Sequence, residues 1–314
     1  MITPRMRVVT DNDYAGDPDG LFQLAHLLLS PSVDVRAVIG SHLQASEAPD
    51  SSIPTANRSR LAADEVVELL GLTGRVRTLE GSNSSLPDRN TPLRSAAAEA
   101  IVAEAMRDSD LPLFVTLGGG LTELASAYLL EPRIAERLTA VWIGGTEYPG
   151  IAEAPPRAQG PDESEYNTTI DIAAAQVVFD SPIPLWQVPR DAYRQALMSF
   201  AELDARIRPC GPIGRYLVAL LDKVMADERY PGRNLGETYI LGDSPLVLLT
   251  ALQSNWDADP SSSRYVSRPA PMVDDAGRFL QRPNSRPIRV YVRLDTRLMF
   301  EDMIAKLQWS ARRA

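Results

Sequence analysis

Short apolar runs rich in β-forming residues alternate with amphipathic helical patterns from Arg7 to Val188, and this alternation leaves few architectures open. The spacing predicts strands at Arg7–Thr10, Asp34–Gly40, Arg75–Leu79, Leu113–Leu117, Thr139–Ile143 and Ile183–Val188. Helical patterns fall between them, near Leu21–Leu29, Arg60–Leu70, Leu93–Arg107, Leu121–Leu130 and Ile170–Phe179. The fold class is therefore α/β, with a mostly parallel, Rossmann-like open sheet flanked by helices. Right-handed crossovers bring the loops after successive strands to one edge. Beyond Val188 the pattern changes. Leu197–Ile207, Ile213–Met225, Ser244–Leu252 and Leu298–Arg312 read as helices and Ile288–Leu294 as a late strand, with loop-rich stretches at Asp257–Arg268 and Pro283–Arg286. No linker separates two domains, so residues 1–314 are expected to form one domain with a helical and loop-rich C-terminal portion.

Four carboxylates, Asp11, Asp13, Asp17 and Asp19, are packed into the loop that follows the first strand. In open α/β sheets that carboxyl edge is where ligands bind. So many like charges in one loop repel, and a hard divalent cation is the simplest way to hold them together. Single aspartates there would serve as turn formers and helix caps; four together point to a metal site with a carboxylate to spare for chemistry. Asp13, two residues beyond Asp11, is expected to face the crevice.

Composition narrows the partners. A net charge of −9 disfavours nucleic acid and anionic membranes, and no stretch is long enough to span a bilayer. The single Cys210 excludes an internal disulfide or a cysteine-cluster metal site, and the start of the chain has no apolar run of signal-peptide length, so a cytoplasmic location is expected. Two histidines, His26 and His42, supply zinc sites and histidine-based triads poorly.

Three further segments carry chemistry. Thr116-Leu117-Gly118-Gly119-Gly120-Leu121-Thr122 follows an apolar strand, and its glycines permit close backbone approach to a ligand. A plain strand-to-helix turn capped by Thr122 explains it nearly as well. Ser164-Glu165-Tyr166-Asn167 ends a long connection containing Pro155, Pro156 and Pro161, and presents a carboxylate and an amide two residues apart. An acidic cap for the next helix is the alternative. Gly242-Asp243-Ser244-Pro245 is a second acidic turn at a helix start.

In this order, from about Val8 to Leu252, these segments resemble the inosine–uridine nucleoside hydrolase superfamily: strand, Asp-x-Asp-x-x-x-Asp, Gly-Gly-Leu-Thr, Ser-Glu-Tyr-Asn, Gly-Asp-Ser-Pro-Leu. Val38-Ile39-Gly40-Ser41 and Trp142-Ile143-Gly144-Gly145 support the resemblance, and the Gly16-Asp17-Pro18-Asp19 variant is similar to a divergent branch. The resemblance implies a calcium-dependent (Ca2+) N-ribohydrolase that releases free base and ribose. It implies that Asp13 both touches the metal and activates a metal-bound water as general base. Asp19, by way of a one-residue bulge, the Gly118 carbonyl (with Thr116 as fallback) and Asp243 are the other implied metal ligands. Asp17, Glu165, Asn167 and Ser41 are implied sugar contacts, and His42 is a candidate at the cleft edge. Inversion at the anomeric carbon and an oxocarbenium-like transition state are expected. The partner is a small-molecule nucleoside or riboside, and a homodimer or homotetramer is the usual assembly.

The departures bear on the leaving group. Gly242 stands where a histidine often precedes the last aspartate, Ser41 where Asn is usual, Gln159 near another expected Asn, and Gly20 where a further acidic residue often follows the cluster. Tyr239, Tyr166 and Trp256 are candidates to hydrogen-bond or stack with the base, and the loops around Tyr230–Asn234 and Trp256–Arg264 carry no readable base preference. Two alternatives stand beside the hydrolase: a sugar-binding or non-catalytic member keeping its calcium site, and a haloacid-dehalogenase-type phosphohydrolase using Asp11 and Asp13. The second lacks lysines, with only Lys223 and Lys306 in the chain.

Overall fold

The computed structural model describes residues 2–47, 54–153, 164–226, 236–254 and 261–313. Eight strands form one sheet in the order β3-β2-β1-β4-β5-β6-β12-β9. They are β1 (Met6–Asn12), β2 (Val33–Gly40), β3 (Thr78–Glu80), β4 (Leu113–Leu117), β5 (Leu138–Ile143), β6 (Leu185–Val188), β9 (Arg264–Pro269) and β12 (Pro287–Arg293). All neighbours run parallel except β9, which pairs antiparallel with β12 at the edge. Two small ribbons complete the strands: β7 (Leu197–Ser199) with β8 (Thr238–Ile240), and β10 (Met272–Val273) with β11 (Phe279–Leu280).

The helices are α1 (Asp19–Leu28), α2 (Thr55–Leu69), α3 (Ala96–Met106), α4 (Thr122–Leu130), α5 (Tyr166–Ile170), α6 (Ile172–Asp180), α7 (Arg190–Tyr193), α8 (Phe200–Glu202), α9 (Gly211–Met225), α10 (Pro245–Leu248) and α11 (Thr296–Ala311). Apolar residues of α1, α2, α9 and α11 share one core, and those of α3, α4 and α6 share another on the opposite face of the sheet. Strand β1 separates these layers. Val9 packs in the α3–α4–α6 layer, whereas Val8 packs against Leu27 of α1 and Val247 of α10. The period-two alternation of a strand then puts Asp11 on Val9's side and Thr10 and Asn12 on Val8's.

The chain runs outward from β1 through β2 to β3, then returns to β4 on the other side of β1. The carboxyl ends of β1 and β4 therefore flank the topological switch point, where this class of sheet opens a crevice. Several elements depart from expectation. β1 continues through Asp11 and Asn12, because both extend the pairing with β2 to Asn12↔Gly40. Leu197–Ser199, expected as helix, is strand β7: its register Leu197↔Ile240 gives it a partner that outweighs local helical pattern. Arg264–Pro269, expected within a loop, is edge strand β9, whose exposure weakens any apolar alternation. The single helix expected over Ile170–Phe179 is two, because Asp171 interrupts it and caps α6 through Ala174 N (2.9 Å).

Candidate active site

The acid loop closes as a turn in which Gly16 N donates to the Asp13 carbonyl (2.8 Å), and Ala15 N donates to Ser59 Oγ (3.1 Å) of α2. Asp13 is buried beside the glycine turn after β4: a Cβ on Gly119 would lie 3.2 Å from the Asp13 carboxyl carbon. Trp142 Nε1 donates to the Gly119 carbonyl (3.0 Å), which holds that turn in place. A Cβ on Gly120 would meet Ile170 at 2.7 Å. The glycines are thus needed for close approach. Thr122 caps nothing; its hydroxyl donates to Asp171 Oδ2 (2.7 Å).

Asp19, partly buried at the start of α1, accepts from Gly20 N (2.9 Å) and from Asp243 N (3.1 Å). Asp243 also accepts from Asn12 Nδ2 (2.8 Å). The two acidic segments foreseen at opposite ends of the chain therefore meet at one point. Burial, then the Asp243 charge, then Asp17 and Asp13, push the Asp19 carboxyl well above the usual carboxylate range. Burial likewise pushes Asp243 up to about 7, against the lowering effect of the Asn12 hydrogen bond. Neither has a basic partner among the described residues. Asp17 is exposed and accepts from Tyr239 OH (2.5 Å), which ties the acid loop to β8.

Asp11 is different in kind. It lies on the α4 side of the sheet, almost fully buried, with no hydrogen-bond partner for either oxygen. Burial, followed by the Glu123 charge, raises it well above the usual range, and the neighbouring Ser41 hydroxyl offsets this only in part. Ser41 is buried against Asp11, and Ser41 N donates to the Asn12 carbonyl (2.9 Å). His42 is buried as well; its ring nitrogens lie 3.0 Å from the Leu43 carbonyl and 3.0 Å from Thr122 Oγ1. Its contacts are with the protein rather than with the crevice.

Glu165 caps α5. Its carboxylate accepts from Gly145 N (2.7 Å), Asn167 N (3.2 Å), Thr168 N (3.1 Å), Thr168 Oγ1 (3.1 Å) and Tyr193 OH (3.2 Å). Asn167 Nδ2 donates to the Gly118 carbonyl (2.9 Å) and the Ile143 carbonyl (2.7 Å), pinning the ends of β4 and β5 together. Both residues stand at the crevice while doing structural work there. Two groups escaped the sequence: the buried Asn12 amide, and the Glu147–Arg190 pair (2.5 Å) beside this corner. The Asn12 signal was present in the coincidence of Gly20 and Gly118 around it. Gln159, Trp256 and Tyr230–Asn234 lie outside the described residues, as does the Trp256 end of the other loop.

Oxygen donors of carboxylate and carbonyl type fit a hard cation, and the raised Asp19 and Asp243 mark negative charge that an ion would relieve. Among the described residues no three His, Cys, Asp or Glu side chains form a complete cage. Neutral oxygens would have to supply the rest.

The model of the family described as inosine-uridine preferring nucleoside hydrolase matches residues 8–301. The pyrimidine-specific ribonucleoside hydrolase RihA of Salmonella arizonae is 26% identical over 227 residues, covering 65% of this chain and 67% of the relative. That of Klebsiella pneumoniae is 25% identical over 238 residues, covering 68% and 70%. The solved purine-preferring ribonucleoside hydrolase from Gardnerella vaginalis superposes with a TM-score of 0.75 at 18% identity, covering 98% of this chain and 100% of that one. Strand order, crevice and sequence match agree: the chain belongs to the inosine-uridine preferring nucleoside hydrolases, a family of N-glycosyl hydrolases.

Proposed function

We propose that the protein hydrolyses the N-glycosidic bond of a ribonucleoside to free base and ribose, with calcium at the crevice and Asp13 as general base. The observation that carries this reading is the meeting of Asp19 and Asp243, 224 positions apart, beside Asp13 at the β1/β4 switch point. Asp13, Asp19, Asp243 and the Gly118 carbonyl would hold the ion. When bound, Ca2+ supplies positive charge that gathers the sugar hydroxyls and favours a deprotonated nucleophile.

The chain's own residues do the rest. Asp13 takes the proton of the attacking water, a role worth about 10²–10⁴-fold in rate for a positioned general base. The carboxylates lining the crevice favour positive charge on the sugar ring as the base departs. Glu165 and Asn167 are the proposed pair that grips the sugar hydroxyls, with Asp17, which accepts from Tyr239 OH, as a further sugar contact. Ser41, beside Asp11, and His42, bonded to Thr122, are the remaining proposed substrate contacts at this end of β2. A cytoplasmic homodimer or homotetramer is the proposed setting.

The relatives' names divide between pyrimidine-specific and purine-preferring enzymes, so the test uses both base classes. Reducing-sugar release is measured from inosine, adenosine, uridine and cytidine, with calcium and with chelator. The expected result is turnover that chelation abolishes and Asp13→Asn reduces by at least about 10²-fold. Unchanged turnover in Asp13→Asn defeats the assignment of the base. Ribose binding without release of base from any nucleoside would establish the non-catalytic alternative.

A further inference from the structure

We propose that Asn12 supplies a neutral amide oxygen to the cation site, in the place an acidic side chain at position 20 would take, with Gly20 and Gly118 keeping that place open. The inference rests on the calcium reading above and concerns one residue that the reading does not use.

Asn12 ends β1 between Asp11 and Asp13 and is fully buried, on the α1–α10 face. Its Nδ2 donates to Asp243 Oδ2 (2.8 Å), while Oδ1 is buried with no hydrogen-bond partner. A buried amide oxygen left in that condition carries a desolvation penalty that a bound cation would offset. The surroundings are shaped to admit it. A Cβ on Gly118 would lie 2.2 Å from Nδ2, 2.6 Å from Cγ and 2.8 Å from Oδ1. A Cβ on Gly20 would lie 2.8, 3.1 and 3.2 Å from the same atoms. Neither glycine has a positive φ, so close approach rather than backbone freedom demands glycine at both positions.

The chemistry agrees with this placement. Asp19, adjacent to Gly20, already meets Asp243 through its main-chain N–H, so the Asn12 amide stands among Asp243, the first turn of α1 and the Gly118 corner. Calcium takes about 6–8 oxygens and accepts Asn carbonyls among them. An amide oxygen adds a donor to the acidic set without adding charge. Asn12 thus answers both its own unpartnered oxygen and the incomplete acidic cage.

The test is calcium binding by titration calorimetry, and terbium luminescence as a second readout, on the intact chain with folding checked by circular dichroism. Wild type binds. Asn12→Leu is expected to lose about 10–100-fold in affinity, the range for removing a group that supports a metal. Asn12→Asp separates ligation from mere positioning of Asp243: a ligand role keeps or tightens affinity, whereas an amide needed only to donate to Asp243 predicts a loss. Gly20→Ala, which pushes on the amide, weakens binding. Wild-type affinity in a folded Asn12→Leu protein, or weakened binding in Asn12→Asp, overturns this inference and leaves the calcium reading standing. Absence of binding by wild type overturns both.

Discussion

The amide of Asn167 reaches the Gly118 carbonyl at 2.9 Å, so a helix that begins after β5 holds the glycine turn that follows β4. The same nitrogen donates to Ile143 at 2.7 Å, and the two bonds fix the separation of adjacent strand ends. Asn167→Asp would turn both donors into a carboxylate facing two carbonyls. Displacement of the turn beside Asp13 is expected to lower kcat/KM by about 10²-fold, as small misplacements near reacting groups do. Steady-state kinetics on a nucleoside that wild type cleaves, with circular dichroism to check the fold, decide it. Retained kcat/KM would show that the turn holds itself.

Arg190 and Glu147 form a two-pronged ion pair with both side chains 4% exposed or less. The Glu147 carboxyl is held below its usual range, where burial opposes the Arg190 hydrogen bond and charge and loses. Glu147→Gln leaves a buried guanidinium unpaired and is expected to destabilise by about 3–5 kcal/mol. Urea unfolding measures this directly, and the double variant with Arg190→Met should recover part of the loss. A shift below about 1 kcal/mol would mean that the corner admits water.

Thr116 sits near the carboxyl end of β4 opposite Thr10 of β1, fully buried, with no hydrogen-bond partner for its hydroxyl. Valine keeps the shape and the β-branched fit to the strand. Burying an unpaired hydroxyl costs about 1–3 kcal/mol, so Thr116→Val is expected to be neutral or stabilising by up to about that amount. Thermal melting of the two proteins side by side is the check; a lower melting temperature would reveal an ordered water bound to the hydroxyl.

His26 of α1 is fully buried and lies 2.7 Å from Asp302 of α11, which Lys306 also grips. Burial lowers its pKa from the ordinary value near 6.5, with Lys306 adding to the shift and Asp302 opposing it. The unfolded chain therefore binds more protons than the folded one just below pH 6.5. Its contribution to stability is full above that pH and is lost as pH falls toward the lower folded value. The urea midpoint is expected to fall between pH 7.5 and 5.5, and to fall less in His26→Gln. Equal pH slopes in the two proteins would assign the effect elsewhere.

Much of the scaffold was legible because β-α alternation is a strong signal where strands are buried on both faces. Leu113–Leu117 was placed to the residue, and all six early strands lie in the main sheet. Legibility failed where pairing, not pattern, decides. Leu197–Ser199 is a strand only because Thr238–Ile240 comes back beside it, and β9 is an exposed edge. The meeting of the Asp11–Asp19 segment with Asp243 was readable from resemblance to a known family, not from spacing. Asn12 was passed over because an uncharged residue among aspartates looks like filler; its importance depends on two glycines, one of them on a different strand end. The helix-capping alternative for Glu165 describes its bonds well, since one carboxylate can both cap a helix and line a crevice.

Strand β1 precedes the other strands of the sheet in the sequence, yet it lies mid-sheet; its Asn12 meets Asp243, and His26 of the helix that follows it meets Asp302 of α11. A chain cut short of Asp243 would carry the aspartates of the β1 loop without the residue that meets Asp19. Such sequence-distant closure slows folding, so the site belongs to the assembled sheet and to no fragment that stops short of Asp243.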